Sequence, residues 1–342
     1  MDLRSVSLTE LKEDLAQIGE KAFRAKQIYE WVHKKCIHSI DEMTNISVAL
    51  REKLKEMYEL EGFEIAAMQE SKIDGTRKYL FKLSDGNMIE SVLMRYHHGN
   101  SVCISSQVGC RMGCKFCAST IDGLERNLTP GEMLGQIYEI QRDIKERVSN
   151  VVVMGSGEPM DNYDNLLKFI DMLTNEDGLN ISQRNITVST CGLIDRIKQL
   201  ADEKLSITLA ISLHATTDER RKQLMPIANR YTIAQVMDAV SYYFEKTGRR
   251  ITFEYSLVAG VNDSEEEAKQ LAMLAKPVGA HVNLIPVNPI KERDFTPTES
   301  SKVLAFKNKL EKYAINGTIR REMGRDIDGA CGQLRRKVMS NS

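Results

Sequence analysis

The chain has 342 residues, of which 42% are hydrophobic and 28% are charged, as is usual for a globular protein. Its formal net charge of -1 at pH 7 excludes the overall positive charge of a protein that binds nucleic acid regardless of sequence. The N-terminus has no secretory-signal pattern, and no stretch approaches the roughly 20 apolar residues that span a bilayer. We therefore expect a cytoplasmic protein with no membrane segment, in which any RNA contact comes from local basic patches.

Residues 1–60 have the pattern of a small helical domain. Ser7 and Glu10 form a capping box at the start of an apolar stripe with helical spacing. Two further amphipathic segments, residues 22–35 and 47–60, repeat that spacing. We predict three helices that form an accessory RNA-binding domain, although its acidic residues are about as numerous as its basic ones.

Residues 61–100 are predicted to form a small β-hairpin connector. Runs rich in β-formers at residues 78–83 and 88–96 are separated by an Asp-Gly turn signal, and another Asp-Gly precedes them. The change from helical to strand-like patterning marks the boundary between this connector and the helical domain.

Residues 101–325 alternate strand-like runs with helical stretches, which indicates a parallel sheet. The strand-like runs are residues 101–105, 150–154, 185–190, 206–214, 251–258 and 281–287. Six units are too few to close an eight-stranded barrel, so we predict an α/β fold with a partial, open βα barrel and an active site at the strand C-termini. A doubly wound sheet is the alternative. Residues 332–342 are predicted to be a mobile basic tail.

Four of the seven cysteines lie between residues 103 and 117, and three of them, Cys110, Cys114 and Cys117, lie in a glycine-containing loop after an apolar strand. Structural zinc usually takes four Cys or His ligands, and no fourth ligand follows at zinc spacing. Three cysteine ligands leave one iron of a [4Fe-4S] cluster open to a cofactor or substrate. We predict such a cluster. The alternatives are buried packing cysteines and a degenerate zinc knuckle.

The spacing of these cysteines, with Phe116 before the last, resembles the signature of the radical S-adenosylmethionine (SAM) superfamily, in which SAM chelates the fourth iron. Longer segments resemble the RlmN family of ribosomal and transfer RNA methylases and its relative Cfr. These segments are residues 103–136, 155–165, 186–193, 211–221, 284–289 and 328–335. They occur in the expected order, so the resemblance covers nearly the whole chain.

The resemblance also implies which residues bind SAM. Gly157 and Glu158 would meet its amino group. A second set would hold its carboxylate, ribose or adenine: Ser189, Ser212, Leu213, His214 and Asn288. These positions lie near strand C-termini, where a βα barrel binds ligands. Taken singly, Gly157 is explained equally well by a turn and His214 by a buried core histidine.

The same resemblance implies a mechanism with two SAM molecules. One methylates Cys331, and the other is cleaved to a 5′-deoxyadenosyl radical that takes hydrogen from the S-methyl group. The methylene radical adds to C2 of adenine, Glu90 accepts a proton, and Cys103 then attacks the sulfur of Cys331. Methylated RNA is released and a transient Cys103–Cys331 disulfide remains, which must be reduced. The alternatives are a free surface thiol at Cys331 and a solvated strand residue at Glu90.

The implied substrates are the peptidyl-transferase-centre adenosine of 23S rRNA and the adenosine 3′ of the anticodon in tRNA. The implied donor is a flavodoxin- or ferredoxin-like protein, and we expect a monomer. Residues 326–342 would form a C-terminal catalytic loop and basic tail. Three competing functions stay open: C8 methylation as in Cfr, a glycyl-radical activase or sulfur-insertion enzyme, and a zinc-stabilised RNA-binding module.

Overall fold

The computed structural model describes residues 1–60, 62–287, 295–327 and 332–339. Within these ranges, no helix combines the length and apolar character needed to cross a bilayer.

The N-terminal region folds into the three predicted helices, α1 (Leu8–Gln17), α2 (Ala22–His33) and α3 (Val48–Met57). The predicted capping box at α1 is confirmed, because the Ser7 hydroxyl accepts the N–H of Glu10 and the Glu10 carboxylate accepts the N–H of Ser7. The apolar faces of these helices join the same hydrophobic core as the rest of the protein.

Twelve strands follow in the described residues. They are β1 (Glu64–Glu70), β2 (Arg77–Lys82), β3 (Met88–Tyr96), β4 (Gly99–Ile104), β5 (Gln107–Gly109), β6 (Leu124–Asn127), β7 (Val148–Val153), β8 (Ile186–Thr190), β9 (Thr208–Ser212), β10 (Ile251–Leu257), β11 (His281–Pro286) and β12 (Gly317–Ile319). Ten form one sheet in the order β1-β2-β3-β4-β7-β8-β9-β10-β11-β12, while β5 and β6 form a separate ribbon. The pairs from β1 to β4 are antiparallel, and those from β4 to β12 are parallel.

Helices connect the parallel strands. They are α4 (Pro130–Ile144), α5 (Tyr163–Thr174), α6 (Ile194–Asp202), α7 (Asp218–Leu224), α8 (Ile233–Thr247), α9 (Glu265–Ala275) and α10 (Ser300–Lys312), and α11 (Gln333–Met339) comes last. Because β1 and β12 lie at opposite edges, the sheet is open. The predicted α/β fold, a partial barrel with an N-terminal helical domain, is therefore confirmed. All parallel strands end at one edge, where such barrels bind their ligands.

The structure differs from the sequence prediction at several elements. The predicted hairpin forms from β2 and β3, but β1 adds a third antiparallel strand, and the β3–β4 pair continues this connector into the barrel sheet. The parallel part has a seventh strand, β12, in addition to the six predicted. The prediction of a mobile tail is wrong over residues 333–339, which form α11. The buried side chain of Leu334 explains why this short segment is held in place.

Candidate active site

A cavity of about 470 Å³ lies at the C-terminal edge of the parallel strands. Each parallel strand contributes a lining residue at or just beyond its end: Cys103, Met154, Ser189, Ser212, Ser256, Pro286 and Arg320. This is the edge at which the sequence predicted an active site, and its size is within the range of small-molecule sites.

The motif cysteines line this cavity in a loop closed by the β5–β6 ribbon. Cys110 donates its backbone N–H to the carbonyl of Gly123 at 2.8 Å. Gly109 lies at φ +74°, and a Cβ there would meet the Gly123 oxygen at 2.0 Å, so only glycine allows this close approach. On the other side, Lys115 donates its N–H to the carbonyl of Leu224 at 2.9 Å. These backbone contacts hold the loop so that all three thiols face one space.

The three thiols are close enough to influence one another. The pKa of Cys110 is raised to about 12, mainly by burial, and the charge of Cys117 contributes to this rise. Burial likewise raises the pKa of Cys114 well above its usual range, with Cys117 and Cys110 contributing. Without a metal the sulfurs of Cys110 and Cys114 carry protons, whereas iron would hold them as thiolates.

The donor set fits an iron-sulfur cluster. Among the described residues, no group of three Cys, His, Asp or Glu side chains is arranged to hold a single metal ion. Each cysteine of a four-iron cluster binds a different iron, so its ligands surround the cluster and do not converge on one point. Soft thiolates are the ligands that such clusters use.

Two glycines allow the turn after β7 to lie against the end of β4. A Cβ on Gly155 would meet the carbonyl carbon of Ile104 at 2.7 Å. Gly157 lies at φ +112°, and a Cβ there would meet the Gln107 Cβ and the Ser106 Oγ at 2.7 Å. Between these glycines, the hydroxyl of the buried Ser156 lies 3.0 Å from that of Ser119. Glycine is therefore required twice in this turn, for close backbone packing and for a left-handed conformation.

Glu158 follows this turn and lines the cavity, although its side chain is buried. Its two carboxylate oxygens accept the backbone N–H of Met160 at 3.0 Å and of Cys191 at 2.7 Å. Burial raises the pKa of Glu158, and the hydrogen bonds from Cys191 and Thr190 partly oppose that rise. The carboxylate therefore links the ends of β7 and β8 and presents an acceptor to the cavity.

The ends of β8 and β9 bring three other predicted SAM-binding residues to the cavity. The Ser189 and Ser212 hydroxyls lie 3.5 Å apart. His214 accepts the backbone N–H of Ser256 at Nδ1, 2.9 Å away, so its proton is on Nε2. Burial lowers the pKa of His214 to about 3, which keeps the ring neutral. Leu213 is fully buried and is not among the lining residues, so its side chain belongs to the core.

The remaining predicted site residues have different positions. Cys103, on β4, lines the cavity. Glu90, on β3, is buried beside it but does not line it. Cys331 and Asn288 lie outside the described residues. No disulfide joins any two of the six described cysteines, and a Cys103–Cys331 disulfide stays a prediction.

Sequence reasoning missed two charged residues near the site. Glu254 lines the cavity, accepts a hydrogen bond from Asn283 at 2.8 Å, and has its pKa raised by burial. Arg221 is fully buried and donates to the carbonyl of Cys191 at 2.6 Å, behind the cysteine loop. An acidic residue inside the apolar strand β10 was a detectable signal for Glu254. Arg221 had no such signal, because it lies in a charged helix.

Comparison with known proteins identifies the family. Residues 1–60 match the model of the ribosomal RNA large subunit methyltransferase N-terminal domain, and residues 104–272 match that of the radical SAM superfamily. The chain is 66% identical to a probable dual-specificity RNA methyltransferase RlmN of Lachnospira eligens, over 99% of this chain and 97% of that protein. The chain belongs to the RlmN family. A second RlmN relative, from Lachnoclostridium phytofermentans, is 61% identical over 98% of this chain and 94% of its own length.

The solved structures agree with this RlmN assignment. A radical SAM methyltransferase from Sphaerobacter thermophilus superimposes with a TM-score of 0.93 at 40% identity, covering 97% of this chain and 98% of that one. The chain is thus a radical SAM methyltransferase of the RlmN type. Membership of the radical SAM superfamily implies SAM and a [4Fe-4S] cluster.

Proposed function

We propose that this protein methylates C2 of adenosine in 23S rRNA and in tRNA through a methyl group carried on Cys331. The observation that carries this proposal is the shared cavity, which brings the three motif thiols together with Cys103 and Glu158. A glycyl-radical activase or sulfur-insertion enzyme has no use for Cys103 there. C8 methylation, as in Cfr, is the second candidate, and no contact in the cavity favours it.

Cys110, Cys114 and Cys117 would hold the cluster, which when bound would supply the electron that cleaves SAM. Gly157 and Glu158 would receive the SAM amino group, because a carboxylate that faces the cavity attracts an ammonium. Ser189, Ser212, the backbone at Leu213, His214 and Asn288 would hold the rest of SAM. The His214 ring is neutral and carries its hydrogen-bond donor on Nε2, which suits a carboxylate or ribose oxygen of SAM.

Cys331 would carry the transferred carbon, and Cys103 would release the product. After the carbon joins C2, the adduct would lose a proton to Glu90 and its unpaired electron to the oxidised form of the electron donor, and the Cys103 thiolate would then attack the sulfur of Cys331. The bond between that sulfur and the carbon breaks, its electron pair goes to the carbon, and a proton completes the methyl group. A Cys103–Cys331 disulfide results, and an external reductant restores both thiols. The buried position of Cys103 in the cavity wall suits a thiol that reacts only with a group brought to it.

Three arginines line the cavity and would contact the RNA: Arg320, Arg321 and Arg325. One of them, Arg325, also pairs with Glu322. Guanidinium groups bind phosphate oxygens in two-point contacts, and enzymes that modify a base take it out of its stack. We propose that these arginines hold phosphates near a splayed adenosine. We also propose a monomer that works in the bacterial cytoplasm with a flavodoxin- or ferredoxin-like electron donor.

The test uses the full chain with its cluster reconstituted under anaerobic conditions. It is supplied with SAM, a reductant and total RNA from a strain that lacks the gene, and nucleosides are analysed by mass spectrometry. We expect 2-methyladenosine and 5′-deoxyadenosine, and neither 2-methyladenosine nor a protein-bound methyl group with Cys331→Ala. Formation of 8-methyladenosine would support the Cfr-like alternative. Intact SAM with unmodified RNA would contradict both.

A further inference from the structure

The three-stranded connector formed by β1, β2 and β3 contacts the C-terminal segment on both sides of Cys331. Residues 324–326 precede Cys331 and residues 332–335 follow it, and each stretch is hydrogen-bonded to the connector. The C-terminal helix α11 packs on β3. The two matched family models cover residues 1–60 and 104–272, so this connector lies outside both, and the sequence assigns a role only to its Glu90.

On the near side, the turn between β1 and β2 holds the chain before Cys331. The carboxylate of Asp326 accepts the Ser71 hydroxyl at 2.6 Å and the backbone N–H of Lys72 at 2.8 Å. The backbone N–H of Gly324 donates to the carboxylate of Asp74 at 3.0 Å. Three hydrogen bonds thus join one turn to a three-residue stretch.

On the far side, a buried ion pair holds the chain after Cys331. Glu90 accepts the backbone N–H of Gly332 at 2.5 Å and that of Arg335 at 2.7 Å. The Lys78 ammonium lies 3.1 Å from the same carboxylate, and the two side chains are 0% and 4% exposed. Both oxygens of Glu90 are therefore bonded to neighbours, two of which are backbone groups beside Cys331.

A buried ion pair is rarely retained for stability, because desolvation of both charges offsets their attraction. Such a pair can instead select one arrangement of the groups around it. Here the carboxylate receives two N–H groups from the start of α11, and Lys78 supplies the charge that allows a carboxylate to be buried there. Removal of Lys78 would leave a buried, uncompensated Glu90, which weakens its hold on Gly332 and Arg335.

The stretch that Glu90 holds after Cys331 also packs against the cysteine loop. Gly332 lies at φ +80°, and a Cβ there would meet the Cβ of Ala118 and the backbone nitrogen of Ser119 at 3.0 Å. Ala118 and Ser119 directly follow Cys117. The residue next to Cys331 in the chain is therefore packed against the residues next to a motif cysteine.

We propose that the β1–β2–β3 connector is a positioning platform for the Cys331 segment, with Lys78 acting through Glu90. The catalytic consequence rests on the proposed role of Cys331. The platform itself does not depend on that role, because it concerns only how the segment around Cys331 is held in place. Lys78 is a positioning residue, and Glu90 acquires a positioning role in addition to its proposed role as proton acceptor.

The first test compares Lys78→Met with Lys82→Met in the full-length, cluster-loaded protein. Lys82 lies on the same strand and pairs with the exposed Glu64, so it is a matched control. We expect amide hydrogen exchange at residues 332–339 to accelerate roughly tenfold to a hundredfold in Lys78→Met, the effect of weakening a charge-assisted hydrogen bond. Exchange in β7 to β10 and in the control should not change. Equal exchange in both variants would overturn the proposal.

The second test measures the methyl group on Cys331 by mass spectrometry after incubation with SAM and reductant. This group forms before any proton reaches Glu90, so the readout separates positioning from proton transfer. We expect the methylated fraction to fall in Lys78→Met and in Glu90→Gln, to fall no further in the double variant, and to recover in Lys78→Arg. Additive losses in the double variant would overturn the link through Glu90.

A third variant tests the platform independently, in case Lys78→Met does not fold. Asp326→Ala removes the hydrogen bonds that join the chain before Cys331 to the turn between β1 and β2. Asp326 is exposed, so the fold should persist. We expect faster exchange at residues 324–327 and a smaller methylated fraction on Cys331. Unchanged exchange there would overturn the near-side part of the platform. If the variants change hydrogen exchange as expected but the wild-type protein never acquires a methyl group on Cys331, the proposed function fails and the platform stands.

Discussion

The carboxylate of Glu158 accepts the backbone N–H of Cys191 at 2.7 Å and so joins the ends of two neighbouring parallel strands. Its other oxygen accepts the N–H of Met160. The side chain therefore shapes the cavity wall and brings a buried acidic group to it. Substitutions here should affect ligand binding more than folding.

We predict that Glu158→Gln weakens SAM binding by roughly tenfold to a hundredfold, the usual effect of losing a charged hydrogen-bond partner. The amide keeps the size of the side chain but loses the charge and one acceptor. Calorimetric titration of the cluster-loaded protein with SAM checks this, with the exposed Glu203→Gln as the control. Equal affinities in the two variants would remove Glu158 from the SAM site.

Gly157→Ala should destabilise the fold by about 2–4 kcal/mol, the combined cost of a left-handed conformation and of overpacking. The new Cβ would lie 2.7 Å from Gln107 and Ser106. Gly248→Ala is the matched control, since Gly248 lies at φ +61° with nothing within 4 Å of its Cβ. That control should lose only about 1–2 kcal/mol, the cost of the left-handed conformation alone. Urea unfolding measures both, and equal losses would contradict the close approach.

Cys114→Ala should abolish stable cluster binding, because three thiolates are needed for a cluster that leaves one iron open. We expect iron and sulfide contents near zero after anaerobic reconstitution, with loss of the visible charge-transfer absorbance. The control is Cys36→Ala, since Cys36 is buried but does not line the cavity. Full iron content in Cys114→Ala, or the loss of iron from both variants, would argue against the assigned ligands.

Stability should fall as the pH is lowered from 6.5, partly because of His33. Burial lowers the pKa of His33 to about 3, with a contribution from Arg4. The unfolded chain therefore binds a proton between pH 6.5 and about 3 that the folded chain does not, so the free energy of unfolding decreases as the pH falls through that window. At pH 5 this amounts to about 2 kcal/mol.

His33→Gln should remove this part of the pH dependence. The glutamine can still hydrogen-bond to Tyr138, whose hydroxyl lies 2.6 Å from Nδ1 of His33. Urea unfolding of both proteins at pH 7 and pH 5 measures how steeply the free energy of unfolding of each depends on pH. A parallel pH response in the two proteins would show that His33 does not stay neutral.

The sequence predicted the helices and strands whose apolar residues repeat at a regular spacing, and it missed those that lack such a repeat. The helices α1 to α3 and six parallel strands follow apolar patterns long enough to recognise. The strand β12 has three residues, which is too short for any period to show. Helix α11 is mostly polar by sequence, and its stability comes from contacts with β3 and Glu90.

The site was predictable where its residues are close in sequence. The spacing of Cys110, Cys114 and Cys117 within eight residues sufficed to predict a shared centre. The bond from Gly332 to Glu90 joins residues 242 positions apart, which no local pattern reveals. Lys78 was read only as part of a strand, because its burial depends on the partner that the fold brings to it.

The pairing of β3 with β4 has a further consequence. Cys103 lies opposite Val92, which is two residues from Glu90 and so points to the same face of the sheet. A slip of one residue between β3 and β4 would move the sulfur of Cys103 to the opposite side of the ladder, while Glu90 stayed where it is. The register of this strand pair therefore decides whether the thiol and the carboxylate of the proposed reaction lie on the same side of the sheet.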